Sequence, residues 1–250
     1  HRVGQGASGR ATGFLSSETT DSYKDLEARV GRRAARGLFA ATQRAPRELA
    51  ATVKRLGIKA DLTLCDALRV LPGGESDTSL RREITARTDA GLSASWVVPS
   101  SVRRQAGIDS DGAMCLREWG SVDPFRLTLG FLAAAVKRGA RVFEQSRVRK
   151  ITFTRKNATA VLDSGAITTE NLLICIGEPT DLFKPLVRHL RHEARYAVLT
   201  EPLPADVRAE LGRRDVTLCD TDRPAHRLSI TADHRALFAG ADQKRPPERL

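Results

Sequence analysis

The clearest pattern of secondary structure in the sequence is PFRLTLGFLAAAVKRGARVFEQSRVRKITFT, residues 124–154. Its first half predicts a strongly apolar helix that ends at Gly139, and its second half predicts a strand. ATAVLDSG and AITTENLLICIG follow, and the continuous apolar run 172–176 is typical of a buried parallel strand that ends at Gly177. A helix, a strand, a meander and a buried strand predict an α/β fold with an antiparallel insertion.

The segments on either side also predict helices and strands. Residues 22–56 predict a helix that is capped by Asp21 or Ser22. Pro46 should kink or split this helix, and Gly57 should end it. The other predicted elements are one or two short strands in 62–72, a short helix in 79–91, a turn and a second short helix within 93–107, an N-cap at Asp123, a strand that ends in a Pro-rich turn in 194–204, a short helix in 207–215 and a hairpin in 227–242.

The length and composition are those of an ordinary globular protein. The 250 residues can form one large domain or two small ones, and 41% of them are hydrophobic and 28% charged. No apolar run approaches the roughly 18 residues of a membrane span, and the start lacks the apolar region of a secretory signal. The first residue, His1, suggests that the sequence starts inside a longer chain.

The net charge of +11 raises nucleic acid as a partner. The 41 basic residues comprise 33 Arg and 8 Lys, which are spread along the chain and never build a basic tract. Aromatic residues make up 5% of the chain and do not interleave with them, so no stacking platform for bases is indicated. We therefore expect no nucleic-acid partner, and a basic nucleic-acid-binding domain remains a rival hypothesis.

The cysteines and histidines show no metal-binding spacing. The four cysteines are Cys65, Cys115, Cys175 and Cys219. They are far apart and lie within apolar runs, which is typical of a protein in a reducing cytoplasm. His189 and His192 are three positions apart, but no Glu-x-x-His or third clustered ligand accompanies them. We expect a cytoplasmic protein without a metal site.

The opening segment GQGASG, residues 4–9, has the G-x-G-x-x-G spacing of a dinucleotide-binding turn. A true first Rossmann turn follows a strand, opens a helix and precedes an acidic residue by about 20 positions. Only three residues precede Gly4, and residues 11–22 are rich in Gly, Ser and Thr, which favour turns and caps over a helix interior. An ordinary surface loop is the plain alternative.

Together these segments resemble FAD-dependent oxidoreductases of the D-amino-acid oxidase, glycine oxidase and sarcosine oxidase superfamily. GQGASGRATGF resembles the loop after the second strand of that fold, and residues 120–151 resemble its later helix and strand. LLICIGEPT resembles its buried strand near the flavin nucleotide, and RLSITADHRALFAGAD is similar to its substrate-domain sheet. The resemblance covers nearly the whole chain.

The resemblance implies a Rossmann-like FAD/NAD(P)-binding domain without its first βαβ unit, interleaved with an antiparallel β-sheet substrate domain. Residues 1–60 and 121–182 would form the FAD-binding domain, and residues 61–120 and 183–250 the substrate domain. FAD is the implied cofactor. The residues implied to line or adjoin it are Ala7, Ser8, Arg10, Ala11, Thr12, Gly13, Phe14, Val148 and Gly177.

Three of these residues keep plain alternatives. Arg10 near a phosphate is no better supported than Arg10 facing solvent. Val148 is implied to meet the adenine through its backbone, and core packing suits it equally. Gly177 is implied to end a strand at the cofactor, and an ordinary strand-end turn suits it as well.

The resemblance also implies a reaction, in which the C–N bond of an amino acid or related amine is oxidised by hydride transfer to the flavin. No protein nucleophile is required, and the sequence shows no convincing Ser/His/Asp or Cys/His constellation. The candidate substrate-binding residues are Tyr196, His226 and Arg227. An Arg can clamp a carboxylate, although surface Arg is common in this chain.

The sequence departs from the family at both ends. The first βαβ unit with its ribose-binding acidic residue is absent, and so is the C-terminal segment with its Gly-rich flavin contacts. We therefore expect an internal fragment that need not hold flavin or turn over by itself. A non-catalytic fold relative that acts as a binding module remains an alternative, and so does a different flavoprotein reaction.

Overall fold

The computed structural model describes residues 2–71, 74, 76–176, 181–183, 189, 194–211, 216–222 and 225–243. Its α-helices are α1 (Tyr23–Val30), α2 (Arg32–Leu56), α3 (Thr78–Asp89), α4 (Pro99–Ala106), α5 (Pro124–Val136) and α6 (Ala205–Glu210). Its strands are β1 (Phe14–Leu15), β2 (Thr63–Leu71), β3 (Ser95–Val97), β4 (Gly112–Ser121), β5 (Val148–Phe153), β6 (Ala158–Leu162), β7 (Gly165–Thr169), β8 (Ala194–Leu199), β9 (Val216–Cys219), β10 (Arg227–Ile230) and β11 (Ala236–Gln243). Short 3-10 turns cover Ala7–Arg10 and Asp181–Phe183.

Two sheets organise the described part of the chain. The larger sheet has the strand order β1-β4-β2-β9-β10-β11-β8, and β3 also pairs with β4. β2 and β9 run parallel, whereas the other neighbours in this sheet are antiparallel. β5, β6 and β7 form a separate antiparallel sheet. The predicted α/β class is therefore confirmed.

Both faces of the central strands β2 and β4 are covered. On one face, Ala67 and Leu116 pack with Leu80 of α3. On the other face, Leu68 packs with Val102 of α4. Successive residues of β2 thus enter two different cores, because neighbouring side chains of a strand point to opposite faces.

The long N-terminal helix is broken at Gly31 rather than at Pro46. Gly31 has a positive φ of +82°, which glycine adopts readily, and this conformation ends α1 before α2 begins. α2 continues through Pro46, whose ring is buried and whose missing N–H removes a single backbone hydrogen bond. The predicted ends are confirmed, since the Ser22 hydroxyl accepts a hydrogen bond from the Asp25 N–H and Gly57 is left-handed.

The sequence pattern does not predict strand β4. Its first half is buried on both faces, so the alternation of polar and apolar residues is missing. A bulge also interrupts its pairing with β2, since Cys65 pairs with Trp119 and Ala67 pairs with Leu116. Glu118 within the bulge has φ +62°. The bulge resets the register and determines where Trp119 lies.

The apolar run 172–176 does not form the predicted buried parallel strand. Residues 171–176 have no regular structure and are exposed, and 87% of Leu173 is accessible. A strand needs a neighbour for its backbone groups and a cover for each face. None of the strands in the described ranges pairs with this run. Gly177, the predicted end of the strand, lies outside the described residues.

Other local predictions are confirmed with shorter bounds. The Asp123 carboxylate accepts a hydrogen bond of 2.9 Å from the Arg126 N–H and caps α5. β10 and β11 form the predicted hairpin, with Ser229 opposite Leu237. The strand predicted in the second half of the quoted stretch is reduced to β5. Among the described helices, none combines the length and the apolar character that crossing a membrane requires.

Candidate functional site

A cleft of about 1100 Å³ lies on the α3 side of the larger sheet. Residues 18–25, except Tyr23, and the first half of α3 form one wall of it. The sheet forms the other wall, with Arg69, Trp119, Arg195 and Arg227 among its lining residues. A concave region of this size with a few convergent polar groups is the default candidate for a ligand site.

The three arginines of the sheet wall come from three strands. Cys219 of β9 pairs directly with Arg69 of β2 and with Arg227 of β10. Paired residues of neighbouring strands share a face of the sheet. Arg195 of β8 shares this face because it lies two residues from Ala197, which stands in the row of Arg227. The sheet therefore presents guanidinium groups to the cleft, with small residues between them.

Arg227 contacts one aromatic ring of the cleft and one of the loop at the start of the chain. Its guanidinium carbon lies 5.3 Å from the centre of the Trp119 ring and 5.9 Å from the centre of the Phe14 ring. Trp119 is 1% exposed, and its Nε1 has no hydrogen-bond partner among the described residues. A buried donor of this kind is costly unless water or a ligand satisfies it.

A buried chain of ion pairs forms the end of the cleft beside α1 and α3. Arg87 donates hydrogen bonds of 2.6 and 2.7 Å to the two oxygens of Glu18 and one of 2.7 Å to Glu83. The Glu18 carboxylate also lies 3.5 Å from Arg69. Glu83 accepts a 2.7 Å hydrogen bond from the Tyr23 N–H in the first turn of α1. These ion pairs thus connect the cleft wall to helices α1 and α3.

Within this network of ion pairs the Arg87 guanidinium stays charged, and the nearby Cys219 thiol stays protonated. Burial lowers the pKa of Arg87, but hydrogen bonds and charges from Glu18 and Glu83 outweigh it and raise that pKa above its ordinary value. Burial raises the pKa of the Cys219 thiol, and the opposing effect of Arg69 does not cancel it. Cys219 is therefore a packing residue at neutral pH rather than a nucleophile.

The segment predicted to line FAD is a tight loop at the start of α5. Its first part, Ala7–Arg10, is a 3-10 turn. A Cβ at Gly9 would lie 1.7 Å from the Gly4 carbonyl oxygen, and a Cβ at Gly13 would lie 2.1 Å from the Val122 carbonyl oxygen. Gly13 also has φ +75°. These close backbone approaches explain why the loop needs its glycines.

The predicted FAD residues occupy two segments. The loop residues are exposed or half-buried, apart from the buried Gly13: Ala7, Ser8, Arg10, Ala11, Thr12, Gly13 and Phe14. Val148 is half-buried at the start of β5. The Val3 N–H donates a 2.7 Å hydrogen bond to Glu144, which ties the loop to the segment before β5. Gly177 lies outside the described residues, so its role stays a prediction.

The three predicted substrate residues do not lie together. Arg227 lines the cleft, whereas His226 precedes it in the chain and stands in a row on the other face of the sheet. Tyr196 pairs with Gly240 of β11 in that same row, and the His226 ring packs where a Cβ of Gly240 would lie. The Tyr196 hydroxyl is buried without a hydrogen-bond partner among the described residues.

His226 also belongs to a cluster of potential metal ligands. Its ring and the carboxylates of Asp220 and Asp222 have ligand atoms within 4.8 Å of one another. The His226 Nδ1 lies 2.6 Å from Asp220 and 3.5 Å from Asp222, so the ring and the Asp220 carboxylate are joined by a hydrogen bond. Exposed acidic groups are common without an ion, and we assign no metal to this cluster.

The sequence profile of one protein family matches residues 1–249, and that family is described as FAD dependent oxidoreductase, DAO. The chain belongs to this family. FAD is accordingly the cofactor of the family, and the protein is a member of a class of flavin oxidoreductases. The division into the two interleaved domains stays a prediction. No curated protein sequence gives a significant match.

Solved structures show the same fold. Glycine oxidase from Geobacillus kaustophilus superposes with a TM-score of 0.68 at 18% identity, covering 96% of this chain and 62% of that one. L-proline dehydrogenase from P. horikoshii gives 0.69 at 14% identity, with coverages of 98% and 64%. L-amino acid deaminase from Proteus vulgaris, without its specific insertion sequence, gives 0.68 at 17%, with coverages of 96% and 59%. The chain thus spans about three fifths of the length of these structures.

The loop fits the anionic part of a dinucleotide. The backbone N–H groups at the start of the Ala7–Arg10 turn receive no side-chain cap, and no acidic residue lies in that turn. A Cβ added at Gly6 would meet nothing within 4 Å, so the loop is open on that side. A turn with small side chains, no side-chain cap and no acidic residue has the composition of loops that bind phosphate oxygens through backbone N–H groups.

The sequence analysis did not single out Arg69, Arg195 or Trp119, which are among the residues that line the cleft. Arg69 carried a usable signal, because it stands between the buried positions 67 and 71 of a strand and a charged residue there needs a partner. Trp119 carried none, because its position depends on the bulge in β4. Arg195 carried no signal either, because it lies on an edge strand and the sequence does not show which of its side chains face the cleft.

Proposed function

We propose that the whole protein oxidises the C–N bond of an amino acid or a related amine with FAD as its cofactor. The observation that carries the proposal is the position of Arg227, which stands over Phe14 of the predicted FAD loop and Trp119 of the cleft. A carboxylate bound by this guanidinium would hold the neighbouring amine carbon beside the loop. The printed names of the solved relatives, among them a glycine oxidase and an amino acid deaminase, support the same class of substrate.

The proposed FAD-binding residues are those of the loop and of β5. They are Ala7, Ser8, Arg10, Ala11, Thr12, Gly13, Phe14 and Val148, with Gly177 at the end of the apolar run. The N–H groups of the loop would bind the phosphate oxygens, and the glycines let the backbone approach closely. When bound, FAD would supply the acceptor for a hydride from the carbon next to nitrogen, and loss of that hydride would convert the neutral amine to an iminium ion.

The cleft residues bind and orient the substrate. Arg227 donates two parallel hydrogen bonds to the substrate carboxylate, and its contact with Trp119 holds the guanidinium in place. The rings of Trp119 and Phe14 exclude water from the reacting carbon, which favours the neutral amine that the reaction needs. The position of Tyr196 and His226 on the other face of the sheet gives no support to a role in this step.

Exposed apolar side chains of α5 and of residues 171–176 support the interpretation that the whole protein is larger than these residues. Phe125 and Val136 of α5 are exposed, and so are Leu173, Ile174 and Ile176. Nucleotide-binding α/β sheets are covered on both faces, so such residues are normally buried. We propose that another part of the whole protein packs on this surface and completes the FAD site.

Anaerobic titration of the purified whole protein with amino acids tests the proposal. We expect a bound flavin whose visible absorbance is bleached by at least one of them. Arg227→Gln should keep the flavin and raise the amino acid concentration for half-bleaching roughly 10- to 100-fold, the size expected for a lost charged hydrogen-bond pair. The control Arg155→Gln removes the same charge in an exposed turn and should leave the titration unchanged.

Three results would contradict the proposal. Purified protein that takes up no flavin, even on reconstitution, rejects the cofactor assignment. If the protein binds flavin but no amine bleaches the flavin absorbance, the result favours the rival hypothesis of a non-catalytic relative that serves as a binding module. Retention on DNA that weakens steeply with salt would instead favour the nucleic-acid rival.

A further inference from the structure

We propose that Trp119 binds the carboxylate of the substrate through its indole N–H. A carboxylate oxygen has two lone pairs, so the same oxygen can accept hydrogen bonds from Trp119 and from Arg227. The inference rests on the proposed function and deepens it, because an amine without a carboxylate leaves this buried donor unpaired. Trp119 thus restricts the amines that the cleft accepts to those that carry a carboxylate.

The indole N–H of Trp119 is a buried donor beside the cleft. Trp119 is 1% exposed, and its Nε1 has no hydrogen-bond partner among the described residues. Because Trp119 lines the cleft, a ligand bound there can supply the acceptor. On its other side the ring belongs to a cluster of buried residues without a strong side-chain acceptor: Ala67, Leu71, Leu80, Met114, Leu116 and Cys219.

The position of Arg227 favours an anionic acceptor for this donor. The guanidinium carbon of Arg227 lies over the Trp119 ring, 5.3 Å from its centre. A cation over the face of an indole leaves the ring edge, which carries the N–H, open to an acceptor in the ring plane. An acceptor at that edge lies beside a positive charge, which favours a carboxylate over a neutral group. The guanidinium has this effect through its position and can keep its other hydrogen bonds.

The acidic residues of the cleft are held by other partners. Five acidic and five basic residues line the cleft, so its formal charge does not by itself select an anion. Glu18 and Glu83 accept hydrogen bonds from Arg87. Selection therefore depends on the Trp119 N–H and the charge beside it. The other three acids also have partners: Asp21 pairs with Arg29, Asp25 accepts from the Ser22 hydroxyl, and Asp222 lies 3.5 Å from His226.

Nuclear magnetic resonance of the indole N–H during titration with propionate tests the inference. Propionate carries a carboxylate but no amine, so the flavin does not oxidise it. The purified, flavin-loaded whole protein contains tryptophan that is isotope-labelled at the indole nitrogen, and Trp119→Phe identifies the Trp119 signal. We expect propionate to move the Trp119 proton signal downfield. Trp96, which lies outside the cleft, should keep its signal. Propionamide, a neutral molecule of the same shape, should bind at least about tenfold more weakly.

A change of one group in the Trp119 ring separates hydrogen bonding from packing. Benzothienylalanine has the shape of tryptophan with sulfur in place of the N–H, and an amber codon can introduce it at position 119. We expect the affinity for propionate to fall about tenfold or more, as for a lost hydrogen bond to a charged group. The melting temperature of the ligand-free protein should not fall, because the donor that is removed has no partner there. The same replacement of Trp96 should leave the affinity unchanged.

Four results would overturn the inference. The first is an unchanged affinity for propionate in the position-119 variant, and the second is the absence of propionate binding. The third is a Trp119 signal that moves when FAD is loaded but not when propionate follows, because the acceptor would then be the cofactor. The fourth is a lower melting temperature of the ligand-free variant, which would assign the N–H to a structural hydrogen bond.

These outcomes are separable from those of the proposed reaction. If no amine bleaches the flavin but propionate moves the Trp119 signal, the reaction fails and the carboxylate site stands. If the protein takes up no flavin, the same titration of the flavin-free protein still tests the donor. If amines without a carboxylate bleach the flavin as readily as amino acids do, the reaction stands and the role of Trp119 is wrong.

Discussion

The two parts of the molecule bury their apolar residues to different extents. Around β2 and β4, side chains such as Leu68, Leu116 and Trp119 are almost completely buried. In the α5 region, residues 124–176, apolar side chains of the same kind stay on the surface, with Phe153 67% exposed. The first part has a core that is complete within these residues, whereas the second presents the kind of surface that other protein parts cover.

Ion pairs show the same difference. Arg87 is buried with both of its glutamates, while Arg149 and Asp163 of the α5 region pair on the surface. A hydrogen bond from Arg149 lowers the pKa of Asp163, but solvent screens that pair. Hydrogen-bond distances alone therefore do not show how much each ion pair contributes to stability. The free energy that is lost when a pair is removed depends on its burial.

The largest expected effect is the loss of the buried arginine. Arg87→Met should lower the free energy of unfolding by roughly 3–5 kcal/mol, because Glu18 and Glu83 would stay buried without their partner. Arg149→Met, its surface counterpart, should not measurably change the denaturation midpoint. Denaturant unfolding followed by tryptophan fluorescence measures both. Similar losses in the two variants would remove the distinction between the two parts.

Truncation of leucines gives the next largest difference. Leu68→Ala should cost about 2–5 kcal/mol, because it leaves a cavity between β2 and α4. Leu173→Ala should change the stability of the 250-residue chain by less than about 0.5 kcal/mol, because the side chain is exposed. A large loss for Leu173 in the whole protein, together with a lower flavin content, would sharpen the comparison by showing that this surface is covered there.

Two glycines of the opening loop form a matched pair. Gly13→Ala should cost about 2 kcal/mol or more, because the residue has φ +75° and its Cβ would meet the Val122 carbonyl oxygen. Gly6→Ala should be nearly neutral, since its Cβ meets nothing. Thermal melting of the two variants checks this. Equal melting temperatures would mean that the loop is not held against the start of α5.

The smallest effect is a rate of thiol labelling. Cys175 lies exposed in the α5 region, whereas burial raises the pKa of Cys115 and of Cys219. A raised pKa leaves less thiolate at a given pH, so these two should react slowly with iodoacetamide until the chain unfolds. Cys175 should be labelled first, as peptide mass spectrometry can show. In the flavin-loaded whole protein, we expect Cys175 to be protected, and equally fast labelling there would argue against a cover.

Local signals in the sequence predicted most ends of the elements. Ser22, Gly57 and Asp123 act at helix ends as expected, because a cap depends on residues only a few positions apart. The predicted split at Pro46 and the predicted strand at 172–176 were wrong, because both depend on packing partners that are far away in the sequence. A proline is tolerated where its helix packs well, and an apolar run becomes a strand only beside a partner.

The candidate site was predicted in part. The opening loop and Arg227 were singled out from the sequence, and the structure brings Phe14 of that loop beside Arg227. Arg69 and Arg195 were not singled out, because their common face follows from the pairing of β2, β9, β10, β11 and β8. His226 and Arg227 are neighbours in sequence, yet they belong to opposite faces of the sheet.

Short spacings along the chain suffice to predict the α/β class, the family resemblance, the glycine-dependent loop and most helix caps. Packing in three dimensions sets which charges are buried, which arginines share the cleft and which apolar residues stay exposed. Those properties depend on strand register and on a bulge that brings distant segments together, and no local spacing encodes them.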